Sequence, residues 1–282
     1  MSRKAVLVTG GARRIGGAIA RRFGAAGWHV AIHCNRSTAD AEALAAELLS
    51  AEVVRCDLAD GDAAVAMIEA LAERLTDWRA LVNSASVFRP DDVAALDPAI
   101  SLEAMQVNAR TPVMMAQAYL RLARSSAGRR VIQVTDQKTA NPNPDFFSYT
   151  MSKHALAATV PMLAMAAAPE DRIFALAPGA ILASHDQAEP EAEVSHRMNL
   201  LQRRTSAEEV AEAAYFLATG PLASGQTLFV DSGQHLLAQP RDVMYLVREG
   251  EDRPRSATVT RSARGSGTGS TCSAWRSCSC PG

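Results

Sequence analysis

Residues 4–16 read Lys4-Ala5-Val6-Leu7-Val8-Thr9-Gly10-Gly11-Ala12-Arg13-Arg14-Ile15-Gly16, and this stretch decides the fold. Its apolar run is short and unbroken, as in a strand covered on both faces, and it ends in glycines that open a segment of helical period over 15–26. The same alternation continues along the chain. Strand-like runs at 4–9, 28–33, 52–56, 80–83, 130–135, 172–177 and 226–230 are separated by helical patterns at about 15–26, 39–50, 62–75, 101–124, 149–168 and 206–219. Strands spaced by helices of this length form βαβ crossovers. The pattern predicts an α/β fold, a doubly wound parallel sheet of about seven strands with helices on both faces.

Composition agrees with a packed domain. Of 282 residues, 48% are hydrophobic and 21% charged, which excludes a disordered chain, a collagen-like fibre and a disulfide-dense mini-protein. A net charge of -1 excludes a chain built to coat nucleic acid or an anionic membrane. The five cysteines are odd in number and include no C-x-x-C pair, so a reducing, cytoplasmic setting is expected. The first apolar run is too short for a signal peptide, and the apolar stretch 155–168 is broken by Pro161 and too short to span a bilayer; no membrane partner is expected.

The strand–helix pattern stops near residue 247, dividing the chain into a nucleotide-binding domain over 1–247 and a low-complexity tail over 248–282. From 254 onward Ser, Thr, Gly, Arg and Cys dominate, a composition with too little apolar surface to offset ordering entropy, so disorder is expected there. Cys272, Cys278 and Cys280 lack a fourth nearby ligand and a usual zinc spacing, and four arginines are too sparse for a nucleic-acid arm. Neither a metal nor a nucleic-acid partner is predicted.

Gly10, Arg14, Ile15 and Gly16 occupy the turn between the first strand and its helix. Glycines there let the backbone approach a pyrophosphate, which then rests on the helix N-terminus, the arrangement of a Rossmann-type dinucleotide site. The second strand chooses the cofactor. An NAD site needs an acid at its end for the ribose 2′-hydroxyl, but this strand ends His33-Cys34-Asn35-Arg36-Ser37, with no acid before Asp40, and His33 and Asn35 are expected at the cofactor with the residues that follow. Arg36 and Ser37, with Arg14 facing the same region, are donors for a 2′-phosphate, so NADPH/NADP+ is the expected cofactor.

Tyr149 and Lys153 stand four apart at the start of a helical segment and share one face, in a chain with four Tyr and only three Lys (Lys4, Lys138, Lys153). An ammonium near a phenol lowers its pKa towards neutrality, which makes Tyr149 a proton donor for a group receiving hydride.

Taken together, these residues resemble the short-chain dehydrogenases/reductases over about residues 4–237. The matching pieces are Thr9-Gly10-x-x-x-Arg14-x-Gly16, Asp57-Leu58 after the third strand, Asn83-Ser84-Ala85-Ser86 after the fourth, Asn108, Asp136, Tyr149-x-x-x-Lys153, Pro178-Gly179 and Val230-Asp231-Ser232-Gly233. The resemblance implies that Tyr149 donates the proton, Lys153 also binds the nicotinamide ribose, and Asn108 holds a proton-relay water. It implies a cofactor site that includes Asp57, Leu58, Asn83, Ser84, Ala85, Pro178 and Gly179. It also implies a homodimer or homotetramer, with the helices near 101–124 and 149–168 packed between subunits; Pro161 is expected to interrupt the second of these.

Two departures narrow the resemblance. The usual Asn-Asn-Ala-Gly is Asn83-Ser84-Ala85-Ser86, and the usual serine thirteen residues before the tyrosine is Asp136. Both are similar to the pteridine reductase and dihydromonapterin reductase branch, which implies that Ser86 and Phe88 hold a pterin against the nicotinamide. A carboxylate beside Tyr149 opposes Lys153 by raising the phenol pKa, which is awkward for a simple ketone. A pterin offers N–H donors to Asp136 and a ring nitrogen that needs a proton after hydride arrives. The expected reaction is hydride transfer from NADPH to a dihydropterin C=N bond, with Tyr149 and Asp136 handling the proton. The alternative substrates are a 3-oxoacyl thioester or another ketone. A non-catalytic nucleotide sensor would be expected to lack the Tyr, Lys or Asn, all of which are present. The segment 183–201, with His185, Asp186, His196, Glu189, Glu191 and Glu193, falls where this family carries its substrate-covering loop; its charged residues read as solvated. Tyr119, His29 and the tryptophans read as packing.

Overall fold

A computed structural model describes residues 3–184 and 187–252. Seven parallel strands, β1 (Ala5–Thr9), β2 (His29–Cys34), β3 (Ala51–Arg55), β4 (Trp78–Asn83), β5 (Arg130–Val134), β6 (Arg172–Pro178) and β7 (Thr227–Val230), form one sheet in the order β3-β2-β1-β4-β5-β6-β7. All seven expected strands are present to within two residues at either end. Along β1, successive side chains feed opposite faces: Val6 and Val8 join Ile32, Phe23 and Trp28 in one core, whereas Ala5 and Leu7 join Leu81, Trp78 and Tyr119 in the other. Burial on both faces is why the strands lack an alternating polar pattern.

Helices α1 (Arg14–Ala25), α2 (Thr38–Glu47) and α3 (Gly61–Arg74) follow the first three strands. The helical pattern at 101–124 is two helices, α4 (Pro98–Met105) and α5 (Thr111–Leu122), joined through a π turn at Gln106–Arg110. Helix α6 (Phe147–Ala166) runs through Pro161 without a break. Pro161 lies on the exposed side, where water can satisfy the carbonyl one turn earlier that the missing N–H leaves free. Short α7 (Glu189–Ser195), then α8 (Ala207–Thr219), complete the crossovers, and α9 (Val243–Asp252) follows β7. Neither α7 nor α9 has a counterpart among the expected helices, and α9 runs across position 247, where the repeating pattern stops. Trp78 and Tyr119 pack edge to face with the Tyr119 hydroxyl on the Trp78 carbonyl, and Trp28 packs edge to face on Phe23, so these aromatics are core residues. His29 is not core packing but a polar link from β2, to Ser50 and Glu52.

The strand order reverses between β1 and its neighbours β2 and β4, and a cleft of about 780 Å³ opens there, at the carboxyl ends of the strands. No helix among the described residues is long and apolar enough to cross a membrane. The tail at 254–282 with its three cysteines, and His185 and Asp186, lie outside the described residues.

Candidate active site

The turn after β1 is built so that no side chain blocks it. Gly10 sits at φ +62, where a Cβ would come 3.0 Å from the Ala85 Cα, and a Cβ on Gly16 would fall 2.2 Å from the Gly10 carbonyl oxygen. Only glycine permits that backbone path. The turn is fastened on two sides. Thr9 Oγ1 accepts the N–H groups of Ser84 and Ala85, both at 3.0 Å. His33 Nδ1 accepts the Gly10 N–H at 3.2 Å, while its Nε2–H donates to the Cys56 carbonyl at 3.1 Å. Both bonds require the neutral ring with its proton on Nε2, and burial lowers the His33 pKa in the same direction. His33, expected as a cofactor ligand, therefore has its polar atoms committed to shaping the turn.

Arg14 departs from expectation in a similar way. It adopts φ +54, and its guanidinium donates to the carbonyls of Ala183 at 3.0 Å and Leu182 at 3.3 Å, in the loop after β6 and on the far side of β1 from β2. The expected trio of phosphate donors reduces to Arg36 and Ser37, which line the cleft with Asn35 at the end of β2. The first acid beyond β2, Asp40, faces Arg13 at 3.5 Å. Asp57 and Leu58 line the same cleft after β3, and the Leu58 carbonyl accepts the Thr111 hydroxyl at 2.8 Å, which ties this loop to α5. Ser84, Ala85, Pro178 and Gly179 also line it. Asn83 does not: its Nδ2 donates to the Pro112 carbonyl at 3.1 Å and Gln133 Oε1 at 2.9 Å beneath the floor.

Asn108 sits in the π turn, and both ends of its amide are hydrogen-bonded. Oδ1 accepts the Val87 N–H at 2.8 Å, while Nδ2 donates to the Val87 carbonyl at 2.9 Å and Ser152 Oγ at 3.0 Å. Its side chain thus holds the Ser86–Val87–Phe88 loop against α6, and of its amide positions only the second lone pair of Oδ1 is left for the relay water that the resemblance implied. A π turn inside a helix is costly and commonly marks a functional position.

Tyr149, Asp136 and Lys153 meet in the cleft. Tyr149 donates its hydroxyl to Asp136 Oδ2 at 2.7 Å, and Asp136 Oδ1 accepts the Lys138 N–H at 2.8 Å. Lys153 Nζ donates to the Val134 carbonyl at 2.8 Å and stands 5.6 Å from the Tyr149 ring centre. The sequence expectation that Lys153 draws the phenol towards neutrality is overturned here. Burial, and then the Asp136 charge, push the Tyr149 pKa well above its ordinary value. Burial raises the Asp136 carboxyl pKa, opposed chiefly by Lys138, and lowers the Lys153 ammonium to about 8. Tyr149 is therefore a neutral donor, Asp136 a reluctant carboxylate and Lys153 a cation that can exchange its proton near neutral pH.

Apart from Phe88, the far wall was invisible in the sequence. Phe146, immediately before α6, takes the left-handed conformation at φ +53, a strained position for a bulky residue. That places its ring parallel to Phe88 at 4.1 Å, while Phe88 meets the Tyr149 ring edge-on at 4.7 Å. Met244 and Tyr245 from α9 close over these rings. Two ion pairs seat the segment before α9: Arg241 forks onto Asp145 at 2.9 Å, and Lys138 Nζ meets Asp242 Oδ2 at 2.7 Å. Arg248 of α9 pairs with Glu191 of α7 at 2.7 Å. His196, grouped with solvated residues in the sequence, is instead buried and lines the cleft.

Comparison with known proteins extends the likeness over most of the chain. Residues 10–235 match a family model described as enoyl-(acyl carrier protein) reductase. The chain is 33% identical over 239 residues to the granaticin polyketide synthase putative ketoacyl reductase 2 of Streptomyces violaceoruber, spanning 82% of this chain and 96% of that protein. It is 26% identical over 234 residues to a dihydromonapterin reductase of Escherichia coli, with the same two coverages. Among solved structures, FolM alternative dihydrofolate reductase 1 from Brucella canis, complexed with NADP, superposes with a TM-score of 0.79 at 36% identity, over 86% of this chain and 97% of that one. A match of this extent, spanning both the glycine turn and the tyrosine–lysine helix, shows that the chain belongs to the short-chain dehydrogenase/reductase family.

Proposed function

We propose that the protein is an NADPH-dependent reductase of a dihydropterin C=N bond. The observation that carries this reading is the Tyr149–Asp136 hydrogen bond, set beside the Phe88 ring at the mouth of a nucleotide cleft. The residues present suit the cofactor: the glycine cradle leaves room for a pyrophosphate on the α1 N-terminus, and Arg36 and Ser37 supply donors at the end of β2 where an NAD site carries an acid. When bound, NADPH supplies the hydride to the ring carbon. NADP bound to the Brucella canis relative supports the same cofactor here.

The proton follows from the electrostatics of the chain's own groups. Burial, and then the charge of an ionised Asp136, disfavour a phenolate at Tyr149, so a step that left the charge on the tyrosine would be uphill. With Asp136 protonated, Tyr149 passes its hydroxyl proton to the substrate nitrogen while accepting one from Asp136, and the negative charge ends on the carboxylate. That carboxylate is stabilised by the Lys138 N–H and by the charges of Lys138 and Lys153. Asp136 then regains a proton from solvent, a transfer for which Lys153, with a pKa of about 8, is suited. A flat heterocycle stacks on Phe88, with Ser86 at the rim.

The test is NADPH oxidation at 340 nm with dihydromonapterin, dihydrobiopterin and an acetoacetyl thioester in parallel, beside Y149F. Pterin-dependent turnover that is lost in Y149F is expected. Turnover with the thioester alone would replace the pterin by a ketone, the reading that the granaticin ketoacyl reductase relative favours. The exposed Leu102 of α4 and Met162 and Met165 of α6 support a homodimer or homotetramer packed through these helices.

A further inference from the structure

Lys138 is one of three lysines in the chain, and its side chain is buried beside the reacting groups, 5% exposed. A buried ammonium is costly unless it is paired and hydrogen-bonded. Here it is both. Nζ meets Asp242 Oδ2 at 2.7 Å, and Asn143 Oδ1 and the Asp145 carbonyl each at 3.4 Å, and it stands 5.0 Å from the Phe146 ring centre. The backbone N–H of the same residue donates to Asp136 Oδ1 at 2.8 Å, in the short turn Gln137–Thr139 after β5. Lys138 therefore touches the acid pair at one end and the segment leading into α9 at the other.

That segment is fastened around the site. The Asp145 carboxylate, forked by Arg241, also accepts the Asp242 N–H at 2.7 Å, which sets the Asp242 side chain against Lys138. Two residues on, Met244 packs with Phe146 and Tyr149. Seating α9 thus brings a counter-charge to Lys138 and an apolar cover to Tyr149 in one movement, and unseating it removes both.

The charges have definite signs. The Lys138 ammonium acts on Asp136 more strongly than Lys153 does, and both favour the carboxylate. The proton transfer above starts from a protonated Asp136, so an ammonium with no counter-charge would empty the acid before hydride arrives. Asp242 divides the pull of Lys138 between two carboxyl groups. Asp136 then keeps its proton at the start and still has a cation beside it when it ends as carboxylate. Asp242 also opposes ionisation of Tyr149. The other groups facing this pair are Asp145 with its Arg241, Lys153 and His154 from α6, and His196 at the end of α7, which feels the Asp242 charge.

We propose that Lys138 and Asp242 are positioning residues for the proton transfer, a buried ion pair through which the seating of α9 sets the charge felt by Asp136. The inference rests on the pterin reading above and adds α9 to its machinery.

The test is the pH dependence of kcat for the full chain at saturating NADPH and dihydromonapterin, between about pH 6 and 10. The acid pair titrates as a unit, and loss of its proton gives the alkaline limb. Lys138→Met is expected to move that limb up by about one pH unit and Asp242→Asn to move it down by about one, while Lys138→Arg and Asp242→Glu return it towards the wild-type position. Lys138→Met with Asp242→Asn, which leaves no unpaired charge, should lie above the wild type, because the cation nearest Asp136 is gone. Lys153 titrates in the same range and is common to every variant. The position of a limb does not depend on how much of a variant is folded. A purely structural pair would lower kcat and leave the limb in place; that result, or single variants that shift it in the same direction, overturns the inference and leaves the pterin reading standing. A wild type that reduces no pterin overturns both.

Discussion

Replacing Lys153 with methionine should make the cofactor-free protein more stable while removing its activity. The ammonium is buried, and its pKa of about 8 against an ordinary 10.5 means that keeping it charged at pH 7 costs roughly 3 kcal/mol, at about 1.36 kcal/mol per pH unit. Methionine has nearly the same length and carries no charge, but it leaves the Val134 carbonyl without the donor that now sits 2.8 Å away, a loss of about 1–2 kcal/mol. The net expectation is a gain of about 1–2 kcal/mol at pH 7. The sign reverses in a defined window. Between pH 8 and 10.5 the unfolded wild type still holds a proton that the folded one has released, so wild-type stability rises through that range and the advantage of K153M shrinks. Urea unfolding without cofactor, at pH 7 and pH 10, measures both numbers. A variant less stable than wild type at pH 7, or an advantage that grows with pH, would refute the burial argument. NADPH oxidation by K153M should fall by about 100-fold or more, since the proposed route that returns a proton to Asp136 is lost.

Three further substitutions probe separate parts of the site. Asp136→Asn and Asp136→Ser should each lower pterin turnover by about 10²–10⁴-fold, the usual worth of a positioned acid, and full turnover in Asp136→Ser would remove the carboxyl from the mechanism. Gly16→Ala puts a methyl 2.2 Å from the Gly10 carbonyl oxygen, and calorimetric titration should show NADPH binding weakened by about 10- to 150-fold, the loss of one charge-assisted hydrogen bond to phosphate. His33→Gln addresses acid sensitivity. Burial lowers the folded His33 pKa, so below about pH 6.5 the unfolded chain takes up a proton that the folded chain refuses, and stability falls as pH drops. H33Q should flatten that acid slope, and an unchanged slope between pH 7 and 5 would show that other groups set it.

How much of this was legible in the sequence depends on the range over which each feature is determined. The strands were legible because burial on both faces writes itself into consecutive residues such as Val6-Leu7-Val8. The glycine turn was legible because Gly10 and Gly16 answer steric demands six residues apart, and the tyrosine–lysine pair because a helix turns that spacing into a shared face. The wall opposite Tyr149, beyond Phe88, was not. Asp145 and Arg241 are 96 residues apart, and nothing in the composition of either neighbourhood announces that they meet. Phe146 carries no glycine to mark its left-handed backbone, so the strain that sets its ring on Phe88 leaves no local signature.

The electrostatics were the least legible part, for a related reason. The sequence places a lysine one helical turn from Tyr149 and an aspartate thirteen residues before it, and the two push the phenol in opposite directions. Which one prevails is decided by distance and burial. Asp136 lies at 2.7 Å from the hydroxyl, while Lys153 turns to the Val134 carbonyl. The carboxylate therefore governs the phenol, and its own raised pKa favours the protonated form from which the proposed transfer starts. An aspartate at this position is thus more than a replacement for a serine hydroxyl. In the proposed reaction it moves the site's acid from the tyrosine to a pair, and a pair of this kind suits a substrate whose nitrogen must be protonated as the hydride arrives.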